Sequence, residues 1–153
     1  MWRVFGILAL FVPLAISSNA HAADEAIHYD VTLIRGTDSV QAPEEGSRQA
    51  SPELVARFRH VLKCKHYWEI CRTNATVFPD AKTRVLLSNG REVEIDLTTG
   101  NKRTVTVFQN RQELGRHVVP RGQALTLIGG DRDNTSIWLI AIRRQEARIK
   151  KGI

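Results

Sequence analysis

The chain has 153 residues, of which 42% are hydrophobic and 25% charged, and it carries a formal net charge of +6 at pH 7. This length predicts one globular domain that is large enough to bury a core. Because charges of both signs alternate along most segments, the basic excess indicates solubility, and we expect no nucleic-acid partner.

The first 22 residues have the pattern of a secretory signal peptide. Arg3 provides a positive start, residues 4–16 form an apolar run, and Ala20 and Ala22 are the small residues of a cleavage site before Ala23. The run is shorter than the roughly 20 residues of a membrane-spanning helix, and no later segment is longer. We therefore expect an exported chain, periplasmic or secreted, whose mature form has no transmembrane segment.

The first predicted elements of the mature domain (residues 23–153) are a strand, a loop and a helix. Residues 27–34 alternate between apolar and polar and predict a strand. Residues 36–50 are rich in Gly, Ser, Pro, Asp and Glu, so we expect a mobile loop. Ser51 and Pro52 are a typical helix start, and an apolar stripe then recurs at helical spacing. The stripe consists of Leu54, Val55, Phe58, Val61 and Leu62. This predicts one amphipathic helix over about residues 52–64.

From His66 onward the chain consists of short apolar runs separated by turn residues, which is typical of an antiparallel meander. The predicted strands are residues 67–76, 83–88, 91–97, 103–109, 115–119, 124–128 and 136–143. The last strand is apolar on both faces, so we expect both faces to be covered. We predict a mainly β (α+β) domain, a small sandwich or open barrel with the helix packed on it.

The hairpin around Asn89 and Gly90 allows two registers. A two-residue loop would place Val85 opposite Glu94. A three-residue loop, with Gly90 in the left-handed conformation, would place Val85 opposite Val93 and would pair opposite charges beside them. We predict the three-residue loop, because it keeps apolar residues opposite apolar residues.

Cys64 and Cys71 are the best-defined chemical feature of the sequence. In an exported chain, two cysteines at this spacing predict a disulfide that links the helix end to the following strand. The alternative is a metal-binding or redox protein that uses His60, Cys64, His66 and Cys71. Their spacing matches no standard zinc pattern, and an oxidising compartment would remove the thiolates. We therefore expect the disulfide, no metal and no other cofactor.

The sequence contains no hydrolase, phosphate-loop or nucleotide-binding motif, and we expect no catalytic residues. An enzyme would need a site assembled from residues that are distant in sequence, around His28, His117 or carboxylates. Trp68 and Trp138 share strand faces with isoleucines, which indicates core positions. A sugar-binding platform at Trp68 is the alternative.

Export, small size and the lack of catalytic motifs favour a non-enzymatic binding or assembly module of the bacterial envelope. Its strand edges and the loops around residues 36–50 and 110–113 would contact an envelope protein or an anionic envelope polymer. The basic C-terminal tail, residues 143–153, is predicted to be solvated, with contact to an anionic surface as the alternative. The pattern favours no particular oligomeric state.

Overall fold

The computed structural model describes residues 25–60, 62–132 and 135–146. The predicted signal peptide (residues 1–22), Val61 of the apolar stripe and residues 147–153 of the basic tail lie outside the described residues. Within those ranges the chain forms nine strands and one helix. They are β1 (Ile27–Thr37), β2 (Arg48–Gln49), α1 (Pro52–Phe58), β3 (His66–Val77), β4 (Lys82–Leu86), β5 (Arg91–Asp96), β6 (Lys102–Gln109), β7 (Gln112–Pro120), β8 (Leu125–Arg132) and β9 (Ser136–Arg144).

The strands form two antiparallel sheets that pack face to face. The five-stranded sheet has the order β2-β3-β1-β9-β8, and the four-stranded sheet has the order β4-β5-β6-β7. Two separate sheets make a sandwich, so the sandwich is the correct one of the two predicted architectures. The mainly β prediction, with a single helix packed on the strands, is confirmed.

The main core lies between the sheets and follows from the two-residue period of the strands. Tyr29, Val31 and Leu33 alternate along β1, and each is fully buried. From the four-stranded sheet, Val93, Ile95, Val105 and Val107 pack against them in the same apolar cluster.

The helix forms a third layer on the outer face of the five-stranded sheet. The hydroxyl of Ser51 accepts a hydrogen bond from the N–H of Leu54, as predicted for an N-cap. Leu54 and Phe58 pack against Ile34 and other apolar residues of this sheet in a second cluster. The described part of the chain contains no helix with the length and apolarity to span a membrane.

The helix is shorter than predicted, because it ends at Phe58 instead of near residue 64. The carbonyl of Leu62 accepts a hydrogen bond from the hydroxyl of Tyr67 at 2.6 Å. This contact lies four residues beyond the end of α1 and ties the segment after the helix to β3.

Strand β9 is covered on both faces, as its sequence predicts. Trp138, Ile140 and Ile142 belong to the cluster between the sheets. Ile137, Leu139 and Ala141, which alternate with them, belong to the cluster under the helix. Burial on both sides explains why this strand lacks a polar face.

The β4–β5 hairpin has the predicted three-residue register. Val85 lies opposite Val93, and Arg84 lies opposite Glu94. The guanidinium of Arg84 is 3.1 Å from the Glu94 carboxylate. Gly90 has a φ of +68°, the left-handed conformation that this loop requires.

The segment predicted as a loop over residues 36–50 is partly ordered as strand. Its first two residues complete β1, and residues 48 and 49 form β2, which pairs with β3. The mobility of the remainder stays a prediction.

Candidate functional site

The predicted disulfide is not present, because both Cys64 and Cys71 are free thiols. Cys71 lies opposite Leu33 and packs against the core between the sheets. Cys64 packs against the cluster under the helix, next to Gly36. The five-stranded sheet therefore separates the two sulfur atoms, whereas a disulfide needs α-carbons within about 7 Å and side chains that point toward each other.

The same separation rules out the predicted alternative of one metal site built from all four residues. His60 is exposed just after the helix, and His66 begins β3. With Cys64 and Cys71 on opposite faces, the four side chains do not converge. Among the described residues there is no group of three or more His, Cys, Asp or Glu side chains that could hold a metal ion.

Cys64 lies at the wall of an open cavity of about 420 Å³, beside Asp38 and Arg132. Burial raises the pKa of the Cys64 thiol; the Asp38 carboxylate raises this pKa further, and Arg132 opposes both effects. A raised pKa favours the protonated thiol, which is a poor nucleophile. The geometry gives Cys64 a packing role.

The other residues that the sequence singled out lie apart from one another. His28 lies on β1, where its Nδ1 is 2.9 Å from the Thr76 hydroxyl, and His117 is exposed on β7 of the other sheet. Trp68 and Trp138 are only 9% and 7% exposed, so the prediction that they are core residues is confirmed. At 9% exposure, Trp68 offers no ring face to a sugar.

Among strands longer than two residues, β7 has the largest share of exposed residues in the described part of the chain. It ends the four-stranded sheet, and none of the strands in residues 25–60, 62–132 and 135–146 pairs with its outer side. Seven of its nine residues are exposed, and Gly115 and Val119 are half-buried. Leu114 and Val118 are 49% and 57% exposed, although both are large apolar residues. An edge strand with apolar side chains and unpaired backbone groups is a template for pairing with another chain.

The hydrogen-bond pattern shows which backbone groups of β7 are free. Just beyond the strand, the N–H of Arg121 donates to the carbonyl of Asn101 at 2.8 Å. Because alternate residues of an antiparallel strand face the partner, the odd-numbered residues near this end face β6. The N–H and C=O groups of Arg116 and Val118 therefore point to the open edge. Pro120, which has no N–H, also faces that edge, as expected for proline in an edge strand.

The start of β7 joins a cluster of loops at one end of the sandwich. The Asn89 side chain, in the β4–β5 turn, donates to Glu44 in the loop between β1 and β2 at 2.8 Å. The Gln109 amide donates to the Asn89 carbonyl at 2.8 Å. The N–H of Asn110, in the β6–β7 turn, donates to the carbonyl of Gly90 at 2.8 Å. Both loops that the sequence singled out for partner contact therefore meet here.

Sequence reasoning placed β7 at residues 115–119 and missed its first three residues. The reason is a β-bulge: Val107 lies opposite Gly115 and Phe108 opposite Glu113, so Leu114 is an extra residue. The bulge breaks the two-residue period that the prediction relied on. Asn110 and Arg111 have φ values of 49° and 69°, so the predicted loop over residues 110–113 is a two-residue turn.

Comparison with protein-family models, with curated proteins and with solved structures finds no match to this chain.

Proposed function

We propose that this protein is an exported, non-enzymatic binding or assembly module of the bacterial envelope. In this proposal, an extended segment of a partner protein adds to the free edge of β7. The observation that carries the proposal is the exposure of β7 along an edge that no strand of the described residues occupies. Backbone hydrogen bonds to such an edge provide affinity, and the alternating side chains provide specificity.

The side chains along β7 define the chemistry of the segment that would bind. Arg116 and Val118 lie on the outer face of the four-stranded sheet, opposite Thr106 and Thr104 of β6. A partner strand would place an acidic residue beside Arg116 and an apolar residue beside Val118. We therefore expect a segment in which acidic and apolar residues alternate on one face.

Export is the second part of the proposal and rests on the leader pattern of residues 1–22. Expression of the full chain in a bacterial host, followed by fractionation and N-terminal sequencing, tests it. The expected product starts at Ala23 and lies in the periplasm or the medium. A product in the cytoplasm that keeps Met1 would contradict this part without bearing on the β7 edge.

The binding site is tested by cross-linking the purified protein in envelope extract and identifying the captured protein by mass spectrometry. Val118→Pro removes an N–H that points to the open edge and leaves the hydrogen bonds between β6 and β7 in place. We expect capture to fall about tenfold, the effect of losing one hydrogen bond and the close approach of the partner. Val118→Thr, which keeps the N–H, should capture the partner as the wild type does.

A second pair of variants tests the same edge without proline, which could disturb folding. Val118→Lys and Leu86→Lys introduce the same charge into the four-stranded sheet at its two opposite edges. Val118 lies on β7, and Leu86, which is 69% exposed, lies on β4. Only the change at Val118 should abolish capture. Equal capture by both variants, or equal loss in both, would show that the β7 edge is not the binding site.

A further inference from the structure

Among the residues that the structure describes, Arg103 of β6 is a buried cation with no buried anion beside it. Its side chain is fully buried between the sheets, where it projects with Val105 and Val107 from the inner face of β6. Its Nη2 donates to the hydroxyl of Thr126 at 2.5 Å, and its Cζ lies 4.9 Å from the centre of the Tyr29 ring. In the described part of the chain, neither contact of this guanidinium brings a negative charge.

The buried polar groups around Arg103 that have no hydrogen-bond partner are all able to donate a hydrogen bond. The Nε and Nη1 of Arg103 and the hydroxyl of Tyr29 are buried and have no hydrogen-bond partner. The Thr126 hydroxyl accepts from Arg103 and from the Gln123 amide, at 3.4 Å, which leaves its own O–H available. At least two N–H groups and two O–H groups therefore lack an acceptor.

A charge in this position is strongly destabilising unless something compensates it. The hydration that an arginine has in water is lost on burial, and contact with an aromatic ring replaces only a small part of it. A water molecule would accept two of the hydrogen bonds but would bring two further donors and no charge. An anion accepts hydrogen bonds without bringing further donors, and its charge neutralises the guanidinium.

We infer that Arg103, Tyr29 and Thr126 form an interior site for a small monovalent anion, of which chloride is the test case. The site lies between the two sheets and is independent of the proposed edge at β7. The anion links the inner face of β6 to β1 and β8, so its binding stabilises the packing of one sheet on the other.

Thermal unfolding in chloride and in gluconate at equal ionic strength tests this inference. Gluconate has the same charge as chloride but is too large for a fully enclosed site. A hundredfold rise in chloride, centred on its dissociation constant, should raise the Tm of the wild-type protein by about 5 °C, and gluconate should not. Bromide in a crystal of the full domain should give an anomalous peak within hydrogen-bond distance of the Arg103 guanidinium.

Arg103→Met removes the charge and keeps most of the side-chain volume. Replacing a buried charge by an apolar side chain of similar size is often neutral or stabilising, so this variant is expected to fold. Its Tm should be the same in chloride and in gluconate. Arg84→Met is the matched control, since Arg84 lies on the outer face of the same sheet, against Phe108. This control should keep the full chloride effect.

Two results would overturn the inference. One is a wild-type Tm that is equal in the two salts, without a bromide peak at Arg103, which would leave water as the partner of these donors. The other is a chloride effect of the same size in Arg103→Met, which would place the anion elsewhere.

Discussion

Gly36 lies directly beneath Cys64: a Cβ added to the glycine would stand 2.9 Å from the cysteine Sγ. It would also stand 3.1 Å from a ring carbon of Tyr67. These distances are too short for packed carbon and sulfur atoms, so the segment after the helix can lie on β1 only because residue 36 has no side chain. The contact therefore sets how closely this segment packs on the five-stranded sheet.

We expect Gly36→Ala to lower the free energy of unfolding by about 1–3 kcal/mol, the usual effect of overpacking. Cys64→Ala removes the Sγ but leaves the Tyr67 contact, so the double variant should recover part of the loss. Urea denaturation of the wild type, the two single variants and the double variant measures this coupling. Strictly additive effects would contradict the contact.

The two cysteines should remain free thiols in the native protein. Thiol titration of the chain, unfolded without reductant, should find both cysteines reactive, because a sheet lies between their side chains in the fold. Material recovered from an oxidising compartment is the decisive sample, since a disulfide would be most favoured there. A titration that finds no free thiol would mean that the segment around Cys64 packs differently from the structure described above.

The sequence predicted those parts of the fold that depend on local pattern. The β4–β5 register follows from placing Val85 opposite Val93, and the helix start follows from Ser51 and Pro52. It did not predict the end of the helix, because the apolar stripe continues to Leu62, which packs against the same cluster although the helix ends at Phe58. The cysteine prediction failed for a related reason: a spacing of seven residues does not say which face of a sheet each side chain occupies.

The candidate site was only partly predictable. Exposed edges and two loops were expected to contact a partner, but which strand would be a free edge depends on sheet order, which is a long-range property. The burial of Arg103 was also not visible, because arginine in a strand normally marks a solvent face. One signal was available: Arg103 continues, at a spacing of two, the inner-face series of Val105 and Val107.

Gly90 and Gly46 both have positive φ values, +68° and +81°, but only Gly90 is crowded. A Cβ at Gly90 would collide with the side-chain oxygen of Asn110, whereas a Cβ at Gly46 would meet nothing within 4 Å. We expect Gly46→Ala to cost about 1 kcal/mol from backbone strain alone and Gly90→Ala about 2 kcal/mol. Urea denaturation checks the difference, and equal losses would show that the Asn110 side chain rotates away from the added methyl group at no cost.

Glu69 is the buried centre of a charged group on the outer face of the five-stranded sheet. Its carboxylate accepts from Arg48 of β2 and, at 2.8 Å, from Arg72 of β3. Burial raises the pKa of Glu69, but the hydrogen bonds and charges of the two arginines outweigh it, so the pKa lies below its usual value of 4.5. The ionised carboxylate therefore holds the short strand β2 against β3.

The pH dependence of stability follows from the direction of this shift. The pKa of Glu69 is lower in the folded protein than in the unfolded chain, so ionised Glu69 stabilises the fold above about pH 4.5. This stabilisation is lost as the pH falls through the folded-state pKa. Glu69→Gln should lower the free energy of unfolding by about 1–3 kcal/mol at pH 7, and less at pH 3. Glu113→Gln, at an exposed pair with Arg116, is the control and should cost under about 0.5 kcal/mol. Denaturation at pH 7, 5 and 3 measures the difference, and a loss in Glu69→Gln that does not change with pH would mean that the carboxylate acts by packing alone.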